Sequence, residues 1–337
     1  MNNLLMQNMK QSLTPSFHKA IPALKEEFKE AVRFNVPMAK YSSARVGGKA
    51  DVLIHTTNAL ELEKVITRLW AMDLPYIILG GCSNILVSDH GIREIVVLNR
   101  ARGLNATHFN LETEPALIKV DSAVNLGLLA RKAAHLGLTG LEWATGIPGT
   151  LGGAIVGNAG AHSSEIANNL WVADILQRNQ NRQPALPSIA SWTNEQFEFG
   201  YRSSILKEKK GEAVVLSAVL QVNKADTVSI QEKTQDFIAY RQRTQPPGAS
   251  MGSIFKNPAG DYAGRLIEQA GLKGTQIGGA QISLVHGNFF INSSNASATD
   301  IMQLIQLAQK TVFEKSGIKL DLEIELIGDW QDKNNKG

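Results

Sequence analysis

Short apolar runs alternate along most of the chain with segments whose apolar residues recur at helical spacing. Runs rich in β-branched residues are typical of strands, whereas helical spacing is typical of an amphipathic helix. The first strands predicted in this way are 50–55, 76–79 and 94–99. A helix over 58–72, opened by Asn58 as its N-cap, lies between the first two strands. Its apolar positions include Leu60, Val65 and Leu69. This order of elements predicts an α/β unit.

The same alternation continues through two larger units. Strands 116–121 and 213–222 mark the ends of the second unit, and a helix is predicted at 125–137 between them. The third unit contains a helix over 298–317 whose apolar residues form one stripe, with Gly317 as the predicted stop. The stripe consists of Ile301, Leu304, Ile305, Ala308 and Val312. We predict five parts: an accessory helical extension (1–38), three units (39–100, 101–222 and 223–330) and a tail (331–337).

Two glycine-rich segments indicate close contact with another molecule. Residues 80–84, "GGCSN", follow a predicted strand and can aim several backbone N–H groups at a diphosphate, although an ordinary hairpin turn has the same composition. Residues 146–160 carry glycines whose conformational entropy is costly in a plain core segment. Neither segment is a Walker or Rossmann motif. Together they predict a dinucleotide that lies between the first two units.

Ser253 and Lys256 have the Ser-x-x-Lys spacing of acyl-transferring penicillin-binding enzymes. That chemistry requires a helix, which would bring the two side chains onto one face. The apolar pair that follows Ser253, and Pro258 after it, instead predict a strand that enters a turn. A polar residue at the end of a strand, without a catalytic role, is the alternative interpretation of Ser253.

His162 and Glu165 have the helical spacing of metal ligands, but no third ligand is near, so we predict a solvated pair and no metal site.

Composition and charge exclude several classes of function. The net charge of +3 is small and the basic residues are scattered, which argues against a nucleic-acid partner. The single cysteine, Cys82, cannot form an intrachain disulfide. No apolar run approaches the length of a membrane span, and the N-terminus lacks the apolar core of a signal peptide. We therefore expect a cytoplasmic protein without a membrane partner.

Eight motifs in this order from Tyr41 to Gly328 resemble one family: "ARVGGKADVLI", "ILGGCSNILVSD", "GLEWATGIPGTLGGAIVGNAGAH", "FGYRSSIL", "GSIFKNP", "AGRLIEQAGLKGTQIGGAQIS", "HGNFFIN" and "LDLEIELIG". The sequence is similar to the UDP-N-acetylenolpyruvoylglucosamine reductases. The resemblance implies an α+β protein: an FAD-binding, vanillyl-alcohol-oxidase-type part with two α/β subdomains, and a C-terminal α+β substrate domain. It also implies non-covalent FAD, NADPH as reductant, and reduction of UDP-N-acetylglucosamine enolpyruvate to UDP-N-acetylmuramate. No long tyrosine-bearing insertion lies between 202 and 253, as in the shorter branch of the family.

The resemblance also implies roles for individual residues. In the family the serine that matches Ser253 delivers a proton to carbon, and Arg202 and Glu325 match the other two catalytic positions. The residues that match substrate contacts are Tyr201, Asn257 and His286. The residues expected to bind FAD are Arg45, Gly80, Gly81, Cys82, Ser83, Asn84, Ile85, Gly146, Ile147, Gly149, Gly152, Gly153, Asn158, Ala159 and Arg241.

The chemistry of the reaction fits these residue types. Hydride addition to the methylene carbon of an enolpyruvyl ether leaves negative charge that spreads into the carboxylate. A guanidinium can bind that carboxylate through paired hydrogen bonds, and a hydroxyl beside the carbanion can act as general acid. Along 320–326, alternation places Glu323 and Glu325 on the same face, so either could face the cleft. Only the family position selects Glu325.

Three positions depart from the family pattern. Cys82 and Gly157 stand where relatives commonly have glycine and methionine, and Thr244 stands where many shorter-branch members have lysine. Arg243 is a candidate substitute for the missing lysine charge. Two other functions stay open at this point: another flavin-linked oxidase of the same fold, and a non-catalytic FAD- or nucleotide-binding protein.

Overall fold

The computed structural model describes residues 15–178 and 187–330, so the predicted tail and residues 1–14 of the predicted extension lie outside the described residues. The helices are α1 (Pro15–Phe28), α2 (Ala59–Ala71), α3 (Leu126–His135), α4 (Leu151–Gly157), α5 (Thr227–Thr244), α6 (Ala263–Gln269) and α7 (Ala298–Ser316). The strands are β1 (Val32–Pro37), β2 (Lys49–Thr56), β3 (Tyr76–Leu79), β4 (Ile85–Val87), β5 (Ile92–Asn99), β6 (Thr107–Asn110), β7 (Ala116–Asp121), β8 (Leu138–Thr139), β9 (Gly160–Ala161), β10 (Ser164–Glu165), β11 (Leu170–Arg178), β12 (Pro187–Thr193), β13 (Ala213–Lys224), β14 (Ala249–Ser253), β15 (Gln276–Ile277), β16 (Ala280–Ile282), β17 (Phe289–Asn292) and β18 (Glu325–Ile327).

The first unit is built on a four-stranded sheet in the order β1-β2-β5-β3. The strands β2, β3 and β5 are parallel, as expected when a helix connects strands of one sheet. Helix α2 begins where the sequence predicts, because the Asn58 side chain accepts a hydrogen bond from the backbone N–H of Glu61 at 3.0 Å. Val65 and Leu69 are buried, but Leu60 is 68% exposed, so its assignment to the apolar face was wrong.

The N-terminal segment is an integral part of this unit. Strand β1 pairs antiparallel with β2, and Ala20 and Leu24 of α1 are buried against the sheets, beside Leu176 and Val214. A boundary at residue 38 would therefore cut a sheet, and the description of α1 as an accessory was wrong. The pattern of a single helix could not reveal which surface would cover it.

The second unit carries an antiparallel sheet in the order β12-β11-β13-β7-β6, with α3 and α4 packed on one side. Helix α5, which the sequence places in the third unit, packs against α3 and the 142–144 turn of the second unit. Lys233 of α5 lies 3.7 Å from the Glu142 carboxylate, and Phe237 of the same helix packs on the hydrophobic core of the second unit. The boundary between these units therefore lies after α5 rather than at residue 222.

The third unit combines a sheet in the order β14-β17-β16-β15 with α6 and α7. All members of the predicted α7 stripe are buried, and Gly317 ends the helix with φ +70°. Strand β18 leaves this unit and pairs in parallel with β4. The carboxylate of Asp89, just after β4, accepts hydrogen bonds from the backbone N–H groups of Ala298 and Thr299 at the start of α7. The third unit is thus joined to the first unit beside the glycine-rich turn at residues 80–84. Within the described residues, no helix is long and apolar enough to cross a membrane.

Candidate active site

The two glycine-rich segments lie against each other. Ser83 Oγ donates a hydrogen bond to the Pro148 carbonyl at 3.1 Å. A Cβ on Gly81 would lie 2.6 Å from the Gly149 Cα, and one on Gly80 would lie 2.2 Å from Thr150 Oγ1. These two glycines are therefore required by contact between the segments, not by the cofactor alone. The hairpin alternative is wrong, because β3 and β4 lie in different sheets.

Other glycines of the second segment face open space. A Cβ on Gly153 would have Thr150 Oγ1 as its nearest neighbour at 3.6 Å, and one on Gly157 would have no neighbour within 4 Å. Gly149 has φ +127°, a region that residues with a Cβ rarely adopt. Gly152 differs, since its Cβ would lie 2.9 Å from the Ser122 Cβ, so it packs on protein.

Arg241 supplies positive charge to the same place. Its side chain lies beside Gly146, whose Cβ would be 3.6 Å from the Arg241 Nε. Burial lowers the pKa of the guanidinium, and no carboxylate of the described residues lies within ion-pair distance of it. A half-buried cation beside open glycine backbone suits a diphosphate. These residues fit FAD.

Cys82 lies in the turn at residues 80–84, the predicted diphosphate turn, with its side chain buried. Its φ of +51° lies in the left-handed region that favours glycine. The thiol donates to the Gly80 carbonyl at 3.6 Å. Burial raises the pKa of Cys82 to about 11, so the thiol is unreactive near neutral pH.

The remaining predicted FAD residues have mainly structural contacts. Buried Asn158, with φ 43°, caps α4, donates to the Gly200 carbonyl at 3.0 Å and so links the glycine segment to the arginine turn. Arg45 has φ +56° and bonds through its backbone N–H to the Ser42 carbonyl. The backbone N–H groups of Ile147 and Ala159 donate to Ala144 and Ala154, and Ile85 begins β4.

Arg202 lies at the third position of a tight turn. Gly200 and Ser203 exchange backbone hydrogen bonds of 3.0 and 3.1 Å across this turn, and Arg202 has φ +56°. Its Nη1 donates to the Gly160 carbonyl at 2.9 Å. Its Nε lies 2.9 Å from Glu323 Oε1. The turn therefore directs the guanidinium to a glutamate that comes from the far end of the chain.

Glu323 lies next to Ser253 and to the predicted FAD turn. The backbone N–H of Glu323 donates to the Ile254 carbonyl at 2.8 Å, while Asn84 Nδ2 donates to the Glu323 carbonyl at 3.1 Å. Desolvation raises the pKa of the Glu323 carboxyl, against the opposing effect of Arg202. Ser253 ends strand β14, paired with Phe289. Because no helix joins Ser253 to Lys256, the Ser-Lys acyl-transfer alternative is wrong.

Glu325, the acid selected from the sequence, has different neighbours. Its carboxylate oxygens lie 3.8 Å from Lys207 Nζ and 3.4 Å from Lys210 Nζ. The structure thus brings Glu323, not Glu325, to Arg202. Alternation had placed both glutamates on one face, and the structure agrees that both face the 202–210 segment. It also shows that the burial pattern shifts after Ile324, where Leu326 is exposed and Ile327 is buried.

The predicted substrate residues lie near one another, around the start of α6. Tyr201 Oη accepts a hydrogen bond from the Asn257 backbone N–H at 3.5 Å, and the Asn257 side chain accepts from Ala263 at the start of α6. His286 Nδ1 accepts from the Asn288 backbone at 3.1 Å, and burial lowers the pKa of the imidazole. The neutral ring therefore carries its proton on Nε2, which is a donor.

The suggested metal pair has no metal-binding geometry. His162 and Glu165 lie on the β9–β10 hairpin rather than on a helix, and the His162 ring stacks on Phe237 at 3.9 Å. No group of three metal-binding side chains occurs in the described part of the chain.

Sequence reasoning missed Lys207, which donates to the Arg202 carbonyl, because no motif marks a lysine at that position.

Comparison with known proteins gives concordant matches. A family model described as an FAD binding domain matches residues 50–177, and one described as the UDP-N-acetylenolpyruvoylglucosamine reductase C-terminal domain matches residues 242–327. The second match begins near the end of α5, in agreement with the packing of that helix. The two matches confirm an FAD-binding part followed by a C-terminal reductase domain.

Whole-chain relatives carry one name. A UDP-N-acetylenolpyruvoylglucosamine reductase of Bacillus subtilis is 40% identical over 311 residues, covering 92% of this chain and 98% of the relative. A reductase of that name from Caldanaerobacter subterraneus is 40% identical over 312 residues, with coverages of 92% and 98%. The crystal structure of UDP-N-acetylenolpyruvylglucosamine reductase from Thermus caldophilus matches with a TM-score of 0.71 and 32% identity, covering 88% of this chain and 98% of that one. On this evidence the chain belongs to the UDP-N-acetylenolpyruvoylglucosamine reductase family.

Proposed function

We propose that this protein reduces UDP-N-acetylglucosamine enolpyruvate to UDP-N-acetylmuramate, with FAD as cofactor and NADPH as reductant, in peptidoglycan precursor synthesis. The family membership supports the overall reaction. The observation that carries the assignment to this site is the meeting of Arg202, Glu323 and the Ser253 strand beside the diphosphate turn.

FAD, when bound, supplies the hydride that NADPH has delivered to it. Arg241 and the glycine backbone at Gly149 and Gly153 would hold its phosphates and ring. The unpaired guanidinium offers the diphosphate a charge-assisted donor.

Arg202 is the residue suited to the substrate carboxylate. Charge spreads into that carboxylate as hydride reaches the methylene carbon, and donors already aimed at the growing charge need no reorganisation. Burial raises the pKa of Glu323 against the opposing effect of Arg202, and the carboxyl, when it carries a proton, can donate a further hydrogen bond to the enediolate oxygen. We therefore transfer the acidic role from Glu325 to Glu323.

Ser253 then donates its hydroxyl proton to the carbon next to the carboxylate. One hydride and one proton add across the double bond, and solvent restores the serine proton. Tyr201, Asn257 and His286 lie near one another and would contact the nucleotide part of the substrate. The Nε2–H of His286 offers a neutral donor there.

The decisive test is consumption of NADPH by purified, FAD-loaded protein with and without the enolpyruvyl sugar nucleotide. We expect consumption that depends strictly on that substrate and yields UDP-N-acetylmuramate by mass spectrometry. Arg202→Lys should lower kcat by on the order of 10²-fold or more at saturating substrate, because a lysine cannot reproduce the paired donors. NADPH consumption that needs only oxygen would instead indicate an oxidase, and a near-normal Arg202→Lys enzyme would remove the proposed carboxylate contact.

A further inference from the structure

The backbone that presents Arg202 is strained. Arg202 is the third residue of the Gly200–Ser203 turn, and its φ of +56° is a conformation in which glycine is the usual occupant. Because φ and ψ determine the direction of the Cα–Cβ bond, relaxation to an ordinary conformation would point the guanidinium elsewhere. A non-glycine residue persists in such a conformation only when surrounding contacts hold it there.

Lys207 supplies one such contact from outside the catalytic set. Its Nζ donates to the Arg202 carbonyl oxygen at 2.9 Å, and its side chain is only 23% exposed. A hydrogen bond from an ammonium is stronger than one from a neutral donor. The lysine itself is anchored, since its backbone N–H donates to the carbonyl of Ser204, whose Oγ donates to Val156 of α4 at 2.8 Å.

Glu325 anchors the other side of the ammonium. Its Oε1 lies 3.8 Å from Lys207 Nζ. Its own backbone N–H donates to the Asn84 carbonyl at 3.0 Å, where β18 begins to pair with β4. The glutamate therefore connects the diphosphate turn, through Lys207, to the peptide that carries Arg202.

We infer that Lys207 is a positioning residue that keeps Arg202 in its strained, substrate-facing conformation, with Glu325 as the counter-ion that fixes Lys207. This inference rests on the proposed function, because it concerns the use of Arg202 in reduction of the enolpyruvyl group. It also gives Glu325 a role that is distinct from that of Glu323.

The first test compares Lys207→Met, Lys207→Arg and the matched control Lys209→Met, which alters an exposed lysine two positions away. Misplacement of a catalytic group by about 1 Å can cost on the order of 10²-fold, so we expect a loss of that order in kcat for Lys207→Met. Lys207→Arg can still donate to the Arg202 carbonyl, so its kcat should lie between those of Lys207→Met and the wild type. Lys209→Met should have the wild-type kcat. Glu325→Gln should cause a smaller loss in the same direction.

A double-mutant cycle distinguishes positioning from a general structural role. If Lys207 acts through Arg202, then Lys207→Met in an Arg202→Ala background should change kcat by less than roughly 2-fold. Flavin content, melting temperature and the calorimetric dissociation constant of the enolpyruvyl substrate are measured for each variant. Unchanged kcat in Lys207→Met, or equal losses in both backgrounds, would overturn the inference. A wild-type enzyme that does not reduce the substrate would overturn the proposed function instead.

Discussion

At the scale of single residues, the site depends on two side chains whose surroundings oppose their ordinary behaviour. Arg202 occupies a left-handed backbone conformation, and Glu323 is a carboxyl whose pKa burial raises. The left-handed conformation costs conformational free energy, and the buried carboxyl costs free energy when it is charged. Ser253 is the remaining member, and its effect on the reaction can be isolated.

Ser253→Ala should separate the two halves of the reaction. Reduction of the flavin by NADPH needs no proton from the serine position, so its rate should stay near normal in stopped-flow measurements. Reoxidation by the enolpyruvyl substrate should slow by about 10²–10⁴-fold, because the general acid is missing. Equal slowing of both halves would mean that Ser253 shapes the site. In deuterated water, wild-type product without deuterium on the carbon beside the carboxylate would contradict the acid role.

Glu323→Gln should affect activity and stability in opposite directions. In the folded protein the raised pKa means that Glu323 binds a proton more tightly than in the unfolded chain. The wild type should therefore lose stability as pH rises from the ordinary glutamate range through the raised pKa, and Glu323→Gln should lack this loss. Denaturant unfolding at several pH values measures the difference.

Glu208→Gln, at an exposed glutamate, serves as the matched control and should show the wild-type dependence of stability on pH. Turnover of Glu323→Gln should fall, since the amide is a weaker acid and hydrogen-bond donor than the carboxyl and carries no charge to pair with Arg202. A variant with normal turnover, or with the wild-type dependence of stability on pH, would contradict the role assigned to Glu323.

At the scale of elements, glycines of the same two segments have different functions. Gly81 permits the contact between the segments, whereas Gly153, on the first turns of α4, faces open space. Composition alone had suggested that all of them serve the cofactor. The neighbours of each Cβ position distinguish those required by protein packing from those available to FAD.

Gly153→Val should therefore fold but bind little FAD, because valine is tolerated in a helix and its side chain would fill the space open at the segment. Gly81→Val should fold poorly, since its Cβ would lie 2.6 Å from the Gly149 Cα. Flavin absorbance per protein and melting temperature measured without FAD separate the two effects. Full flavin occupancy in Gly153→Val would show that this glycine does not face the cofactor.

At the scale of the whole molecule, the contacts that join the third unit to the first include a strand pair and a helix cap. Strand β18 pairs with β4, and the Asp89 carboxylate caps α7 through the Ala298 and Thr299 backbones and the Thr299 hydroxyl, at 2.7 to 2.9 Å. These contacts set the Ser253 strand and Glu323 beside the diphosphate turn. The assembled site therefore depends on docking between units.

Asp89→Ala should weaken this docking without unfolding α7, because Ser297 still caps the helix through Asp300. Loss of this exposed acceptor at the helix N-terminus should lower the free energy of unfolding by about 0.5–2 kcal/mol. Denaturant unfolding would measure the change, with Glu94→Ala on exposed β5 surface as the control. Equal stability of both variants would show that Asp89 contributes nothing to the junction.

Local sequence determined most of the elements. The cap at Asn58, the apolar stripe of α7 and the stop at Gly317 depend on neighbours a few residues away, and all three are confirmed. The ordered motifs identified the family, which the relatives confirm. The sequence also indicated Arg202 and a glutamate of the last strand as partners for Ser253.

Tertiary structure alone decided which glutamate meets Arg202, which unit receives α5, and which glycines pack on protein. A strand repeats every two residues, so Glu323 and Glu325 are equivalent until β18 pairs with β4 and Glu323 lies beside Ile254. An amphipathic helix likewise specifies its apolar face but not the surface that covers it. These choices are made by contacts between residues far apart in the chain, and no local pattern contains them.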